Sequence, residues 1–182
     1  MKILIVIDMQ NDFITGSLAT NEAQAILPKV IKRVEESKEE KILFTLDTHD
    51  TDYLNTPEGK KLPVIHCQKD TDGWQIEADI LNAWQNNEKT QKNSDLTQHF
   101  YEKSVFGSVE LVNDMLKLGD EITEIELIGV CTDICVTSNA IMLKNNLPHI
   151  PIVVNSELCA GVTPESHDAA LVVMKSCQID VI

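Results

Sequence analysis

Short, uninterrupted apolar runs recur along the chain and limit the folds open to it. Four of them are clear: Lys2–Ile7, Ile42–Leu46, Ile125–Ile128 and Ile150–Val154. Runs of this length with few polar residues are typical of strands that are buried on both faces, as in parallel sheets. Segments with helical periodicity separate the runs. This alternation predicts an α/β fold with a mostly parallel sheet and helices on both of its faces.

The segments between the runs repeat their apolar residues at three- and four-residue spacing, which is typical of amphipathic helices. Ser108 and Thr163 are expected to cap two of these helices, and Gly119 is expected to end one. Three weaker runs are further strand candidates: Val64–Cys67, Gln98–Glu102 and Gln178–Ile182. The long stretch from His49 to about Asp72 has no clear periodicity, and irregular stretches of that length are usually functional.

Length, charge and cysteine content exclude several classes of protein. The chain has 182 residues, which at roughly 150 residues per domain predicts one domain spanning residues 1–182. Acidic residues outnumber basic ones by 29 to 15, a formal charge of −14, so partners such as nucleic acid or an anionic membrane surface are not expected. No apolar run approaches the roughly 20 residues of a membrane span, and the N-terminus lacks the pattern of a signal peptide. The five cysteines are therefore expected to be free thiols in a reducing, cytosolic compartment.

A nucleotide-binding domain is one alternative that this fold class raises. Such a domain needs a glycine-rich turn after the first strand. Here the first strand is followed by Asp8-Met9-Gln10-Asn11-Asp12, and Arg33 is the single arginine in the sequence that could clamp a phosphate. We therefore reject the nucleotide-binding alternative and expect no organic cofactor.

Polar and reactive side chains cluster where the predicted strands end. In an open parallel sheet, ligands bind at the edge formed by the carboxyl ends of the strands. The residues that follow the strands are, in chain order, Asp8, Asp47, His49, His66, Cys67, Lys103, Cys131 and Cys135. We expect these carboxylates, one lysine, several cysteines and two histidines to meet at this edge.

Cys135 is the strongest candidate for a nucleophile. It lies at the start of a helix predicted from about Asp133 to Asn146, where the helix dipole and a nearby Lys103 would favour the thiolate. Backbone N–H groups in that turn could bind an oxyanion. The alternative is a buried cysteine that acts as a small apolar residue. Cys131 and Cys135 form a C-x₃-C pair, but no second pair exists, so a zinc cluster is not expected.

Asp8, Lys103 and the Asp47-Thr48-His49 segment each allow two interpretations. Asp8 follows an apolar strand and is either a catalytic base or a cap of the next loop. Lys103 taken alone would be an exposed lysine. Asp47, His49 and His66 offer a mixed oxygen and nitrogen ligand set that suits zinc, iron or manganese, although a carboxylate–histidine pair is also a common hydrogen bond. His99, His149 and His167 are interpreted as structural or surface residues, and Cys159 and Cys177 as core thiols.

Taken together, three blocks of sequence resemble the isochorismatase-like cysteine hydrolases, and most closely the nicotinamidase/pyrazinamidase group. The blocks are Leu4–Phe13, Lys103–Phe106 and Ile128–Val136, and Ala160–His167 also fits the C-terminal segment of that superfamily. The resemblance covers nearly the whole chain in order. It implies a three-layer α/β/α fold with a six-stranded parallel sheet of isochorismatase-like, Rossmann-like topology.

The resemblance also implies the chemistry. It carries a catalytic triad onto Asp8, Lys103 and Cys135, with cleavage of a small amide, nicotinamide first, through a thioester on Cys135. It implies a cis peptide between Val130 and Cys131 and an oxyanion site at the N–H groups of Cys131 and Cys135. It carries a divalent metal site onto Asp47, His49 and His66. Phe13, Val130 and Phe106 are expected to line the substrate pocket.

Two departures from the nicotinamidase pattern keep alternatives open. No third histidine occurs between Asp50 and Ile65, so Asp52, Asn55 or Glu58 could supply an oxygen ligand instead. The segment Leu62–Ile65 also lacks the aromatic residue that often flanks the substrate ring in that group. The alternatives are an amidase for another carbamoyl or ureido amide, and a catalytically silent ligand- or metal-binding protein. A homodimer would be compatible with the sequence.

Overall fold

A six-stranded parallel sheet forms the centre of the computed structural model, which describes residues 1–38, 41–87 and 99–182. The strands are β1 (Lys2–Ile7), β2 (Lys41–Asp47), β3 (Phe100–Lys103), β4 (Glu124–Val130), β5 (Ile152–Ala160) and β6 (Asp180–Val181). Their order across the sheet is β3-β2-β1-β4-β5-β6, and every pair is parallel. The predicted fold class is therefore confirmed.

Helices cover both faces of the sheet. They are α1 (Asn11–Ile14), α2 (Asn21–Glu35), α3 (Ala78–Asn86), α4 (Val109–Leu118), α5 (Thr137–Asn146) and α6 (Pro164–Ser176). Leu4 and Val6 of β1 pack in a core with α1, α2 and α3, whereas Ile3, Ile5 and Ile7 pack in a second core with α4, α5 and α6. Successive side chains of a strand point to opposite faces, which explains why β1 is apolar throughout.

The register of the strands brings their carboxyl ends to one edge. Ile7 pairs with Thr45 of β2 and with Gly129 of β4, and Asp47 pairs with Lys103 of β3. The residues that follow β1 and β4 therefore lie beside the last residues of β2 and β3. The predicted meeting of the polar strand ends follows from this register.

The predicted helix ends are largely correct. The Ser108 hydroxyl accepts a hydrogen bond from the Leu111 N–H and caps α4, which ends at Gly119. Thr163 caps α6 in a reciprocal arrangement with Ser166. Such caps satisfy backbone donors that have no partner inside the helix. Within the described ranges, none of the helices has both the length and the apolar character that crossing a bilayer requires.

Several boundaries differ from the sequence predictions. Val64–Cys67 is not a strand: an isolated bridge between His49 and Gln68 forms just after this stretch, and β3 is the strand that pairs with β2 at that edge of the sheet. The helix predicted from Asp133 begins instead as a π-helical turn over Thr132–Val136, before α5. Gln98, the first residue of the aromatic strand candidate, lies outside the described residues. The prediction that Cys177 is a core thiol is wrong, because this residue follows the end of α6 and is exposed.

Candidate active site

Asp8, Lys103 and Cys135 meet at the carboxyl edge of the sheet. The Lys103 Nζ atom lies 2.7 Å from Asp8 Oδ2 and 3.4 Å from Cys135 Sγ. All three side chains are buried. Asp8 turns out of β1 with a φ of 49°, which is rare for a residue other than glycine. The structure thus brings together the base, cation and thiol that the sequence pattern singled out.

The protonation of this group differs from the expectation of a thiolate. Burial, reinforced by the negative charge of Asp8, raises the pKa of Cys135 well above its usual value, even though Lys103 acts in the opposite direction. Burial also raises the pKa of Asp8, while Lys103 opposes this shift. The pKa of Lys103 is raised despite burial, because Asp8 and Asp47 stabilise its charge. The free site therefore favours a neutral thiol beside a charged lysine, since burial and the charge of Asp8 outweigh the effect of Lys103 on the pKa of Cys135.

Two further polar groups hold this set in place. The Thr45 hydroxyl donates a hydrogen bond of 2.6 Å to Asp8 Oδ1, and Asp47 Oδ1 lies 3.3 Å from Lys103 Nζ. Lys103 therefore faces two carboxylates and one thiol. A buried charge needs such partners, because an unpaired one would cost several kcal/mol.

The turn that carries Cys135 is fixed by close backbone packing. Gly129 has a φ of 117°, and a Cβ atom there would lie 2.1 Å from the carbonyl oxygen of Ile7. The peptide bond between Val130 and Cys131 is cis, as the family resemblance implied. The Cys131 carbonyl then accepts hydrogen bonds from the N–H groups of Ile134 and Val136, which close the turn around Cys135. Gly129 is therefore required for β4 to approach β1 at this point.

Asn139 connects the Cys135 turn to the loop that follows β3. Its side-chain oxygen accepts a hydrogen bond from the Ser108 N–H at 2.9 Å, and its amide group donates to the carbonyls of Phe106 and Cys135. The side chain is fully buried on α5. Sequence reasoning did not identify Asn139, although a polar residue one helical turn after the candidate nucleophile was an available signal.

Asp47, His49 and His66 form a compact ligand set next to Lys103. Asp47 Oδ2 lies 3.1 Å from His49 Nε2 and 3.3 Å from His66 Nε2, and the three potential ligand atoms all lie within 4.8 Å of one another. Burial opposes ionisation of Asp47, but hydrogen bonds from the two histidines and the charge of Lys103 hold its pKa below the usual range. Burial would lower the pKa of His66, but the hydrogen bond to Asp47 outweighs it and raises this pKa.

The surroundings of the ligand set fit a divalent cation. His66 Nδ1 lies 2.8 Å from the Val64 carbonyl, and donation of its proton there leaves Nε2 available as a ligand. The Tyr53 ring packs against both imidazoles, with ring centroids 4.4 Å from His49 and 5.0 Å from His66. An anionic oxygen and two imidazole nitrogens that converge in a buried pocket suit zinc or iron.

Of the three candidates for a further oxygen ligand (Asp52, Asn55 and Glu58), Glu58 is the one placed beside the Asp47, His49 and His66 set. Its Oε1 atom is 3.9 Å from His49 Nε2, and its side chain lines the same cavity as Asp47 and His66. Asp52 does not line that cavity, although it lines a neighbouring one. Asn55 lines neither of the two cavities.

Gln10 and Asp12 position the ligand set from the segment after β1. The Gln10 side chain donates to the Asp47 carbonyl and accepts from the Asp47 N–H, both at 2.8 Å. The Asp12 carboxylate accepts a 2.7 Å hydrogen bond from the N–H of Cys67, the residue after His66. Sequence reasoning used both residues only as part of a motif. Their roles depend on contacts with residues more than 35 positions away, which periodicity does not reveal.

A cavity of about 420 Å³ leads to the thiol. Phe13 and Phe106 line it, as predicted, together with Leu62 and Cys131. Val130, which was also predicted to line the pocket, is buried in the core with α1, α2 and α3 and is absent from the cavity wall. The cavity therefore has aromatic and aliphatic walls, and a ligand bound in it would lie next to Cys135.

The three other histidines lie apart from this cavity wall. His99 Nδ1 is 3.1 Å from the Ile42 carbonyl, His149 is exposed, and His167 Nδ1 is 2.8 Å from the Thr132 hydroxyl. These contacts agree with the structural and surface roles expected from the sequence. Cys159 is buried in a core, also as expected.

Comparisons with known proteins agree with the fold. A family model described as the isochorismatase domain matches residues 2–182. The structure of the nicotinamidase/pyrazinamidase PncA from Bacillus subtilis is 29% identical, covers 99% of this chain and 98% of its own, and superposes with a TM-score of 0.81. The pyrazinamidase/nicotinamidase from Streptococcus mutans is 26% identical, with both chains covered completely and a TM-score of 0.82. The nicotinamidase of Schizosaccharomyces pombe is 26% identical over 98% of this chain and 91% of its own length.

Proposed function

The chain belongs to the isochorismatase family, and within that family we propose that it is a cysteine amidohydrolase that converts nicotinamide and water into nicotinate and ammonia. The observation that carries the proposal is the contact of Lys103 Nζ with both Asp8 Oδ2 and Cys135 Sγ next to a cavity of single-ligand size. Relatives named nicotinamidase that align over nearly the whole chain support the choice of substrate.

In the first half of the reaction, Asp8 takes the proton of the Cys135 thiol as sulfur attacks the amide carbon. A neutral thiol beside a carboxylate is the required starting state, and the raised pKa of Cys135 favours it. The backbone N–H groups of Cys131 and Cys135 are proposed to bind the oxyanion. Asp8 then returns the proton to the departing nitrogen, so that ammonia leaves and a thioester remains on Cys135.

In the second half, water attacks the thioester. Asp8 accepts a proton from this water as the water oxygen bonds to the acyl carbon. The C–S bond of the second tetrahedral intermediate then breaks, and Asp8 returns the proton to sulfur. This step restores the Cys135 thiol and releases nicotinic acid, which ionises to nicotinate in solution. Lys103 remains charged throughout and stabilises whichever neighbour is anionic, first Asp8 and then the sulfur. Attraction between unit charges about 4 Å apart is worth about 4 kcal/mol at an effective dielectric constant of 20, so this lysine keeps the negative charge paired as it moves from Asp8 to the sulfur.

Asp47, His49 and His66 are proposed to hold a divalent cation, with Glu58 as a candidate further ligand. When bound, such an ion would act as a Lewis acid toward a ring nitrogen of the substrate and so help to orient the ring. The residues of the chain supply the rest of the orientation. The Phe13 ring packs edge-on against His66, with centroids 5.9 Å apart, and forms one wall of the cavity.

The five cysteines are unpaired. Free thiols are typical of reducing compartments, which supports the proposal that the protein acts in the cytosol on a small-molecule amide.

The test is ammonia release from nicotinamide by the purified protein, with the metal content of the same sample measured. We expect saturable turnover in the wild type and none in Cys135→Ala, with both proteins equally folded by circular dichroism. Normal turnover in Cys135→Ala would reject the nucleophile. Absence of turnover with metal bound would reject nicotinamide as the substrate, and a panel of carbamoyl and ureido amides would then identify another amidase. No turnover with any amide would favour a silent binding protein.

A further inference from the structure

A second cavity of about 650 Å³ lies beside the catalytic one, and we call it the outer cavity. The two cavities share four wall residues: Glu58, Leu62, Phe106 and Ile134. These four residues therefore lie between the two cavities and separate them. His49 faces the outer cavity, whereas Asp47 and His66 face the catalytic one.

The outer cavity has an apolar lining that is exposed to solvent. Val105 is 59% exposed, Phe106 46% and Leu62 37%. Large apolar side chains that are exposed together mark a site for a ligand or partner. Concave sites of about 300–1,000 Å³ hold drug-sized ligands, and the adjacent cavities, at about 420 and 650 Å³, both fall in this range. The shape therefore favours a small molecule that extends beyond a single ring.

The charges around the outer cavity limit what it can hold. Asp50, Asp52 and Glu58 line it, against Lys61 as the one basic side chain in its wall other than the imidazole of His49. The chain as a whole carries a formal charge of −14. An anionic group would be repelled there, which argues against phosphate- or carboxylate-bearing substrates. The expected occupant is uncharged and apolar.

We propose that the outer cavity is a subsite for an apolar alkyl or aryl substituent on the ring of the substrate. The enzyme would then hydrolyse extended aromatic carboxamides as well as nicotinamide. This inference rests on the proposed function, since it assumes that the carboxamide lies at Cys135. The observation that links substituent and reaction centre is that the same four residues line both cavities, so that the two spaces are adjacent across these side chains.

The experiment compares nicotinamide with its 5- and 6-phenyl derivatives. Val105 lines the outer cavity and does not line the catalytic one, so Val105→Trp fills the outer cavity selectively. Val109→Trp is the matched control, because Val109 is similarly exposed, at 61%, and lines neither cavity. We expect the wild type to hydrolyse the better phenyl derivative with a kcat/KM within about tenfold of that for nicotinamide. Val105→Trp should lower this value by at least about tenfold, with nicotinamide turnover changed less than about twofold.

Other results would overturn the inference. Equal loss for both substrates in Val105→Trp, or the same loss in Val109→Trp, would mean that the outer cavity does not select the substituent. If Val105→Trp changed only the oligomeric state in sedimentation velocity, the apolar surface would be a contact between copies of the chain instead. Binding of the phenyl derivatives to Cys135→Ala, measured by calorimetry, separates the two proposals. Binding that Val105→Trp abolishes, in a protein that hydrolyses no amide, would reject the function but keep the subsite.

Discussion

Replacement of Asn139 tests whether the active site is held together by one buried side chain. In Asn139→Leu, the side-chain volume is nearly kept, but the Ser108 N–H and the Phe106 carbonyl lose their partner. Each buried backbone group left without a hydrogen bond costs about 1–3 kcal/mol. We therefore expect a loss of about 2–6 kcal/mol, a large part of the roughly 5–15 kcal/mol that stabilises a typical domain.

The assay is equilibrium unfolding in urea with linear extrapolation to water. Asn146→Leu is the matched control: Asn146 lies on the same helix and donates one exposed hydrogen bond to the Met142 carbonyl, so its loss should cost less than about 1 kcal/mol. Because Asn139 also fixes the loop that carries Phe106, the KM for the amide should rise in Asn139→Leu. A stability within about 1 kcal/mol of the wild type would refute the reasoning, since it would mean that these backbone groups find other partners.

Three further predictions concern the titration of the site and the support of its ligands. In a pH profile of kcat/KM, the acid limb should have its midpoint above the usual aspartate pKa of about 3.9, because Asp8 must be ionised to act as a base and its pKa is raised. Activity should be lost as the pH falls through that raised pKa. A midpoint at or below about 3.9 would contradict this prediction. At about pH 7, iodoacetamide should label the exposed Cys177 of the free enzyme faster than Cys135, because Cys135 is buried and its pKa is raised. Mass spectrometry of timed samples measures the two labelling rates. Faster labelling of Cys135 would argue for a thiolate. Gln10→Glu removes the side-chain donor to the Asp47 carbonyl. We expect the zinc affinity of this variant, measured by competition with a chelator, to be about 10–100-fold lower than that of the wild type. An unchanged zinc affinity would mean that Gln10 does not position Asp47 as a ligand.

The parts of the site that the sequence predicted are those fixed by topology. Asp8, Lys103 and Cys135 each follow a recognisable strand, and parallel strands end at a common edge. To predict that these three residues meet, it was therefore enough to locate the strands correctly in the sequence. Asp47 and His49 were identified for the same reason, since Asp47 ends β2 and His49 follows it.

The parts that the sequence did not predict depend on packing between distant segments. Gln10 and Asn139 form hydrogen bonds with Asp47 and Ser108, which lie 37 and 31 positions away. These partners cannot be predicted from a local pattern, even though Asn139 lies one helical turn after Cys135. The protonation of Cys135 could not be predicted from its place in the turn after β4, because burial and the neighbouring Asp8 raise its pKa and Lys103 opposes them. Val130 looked like a pocket residue from its neighbours in sequence, but its side chain points into the core.

The pairing of β1 with β4 has a consequence for how the protein acquires activity. Lys2 is in register with Glu124, and Ile7 with Gly129, so the central contact of the sheet joins segments that are far apart in the chain. Contacts of such long range are slow to form, since the intervening chain must close a large loop first. Asp8 and Cys135 can become neighbours only after this step. During synthesis or refolding, Asp8 and Lys103 are available before Cys135 reaches them, because Cys135 arrives only when β4 pairs with β1. Recovered activity should therefore report this long-range pairing.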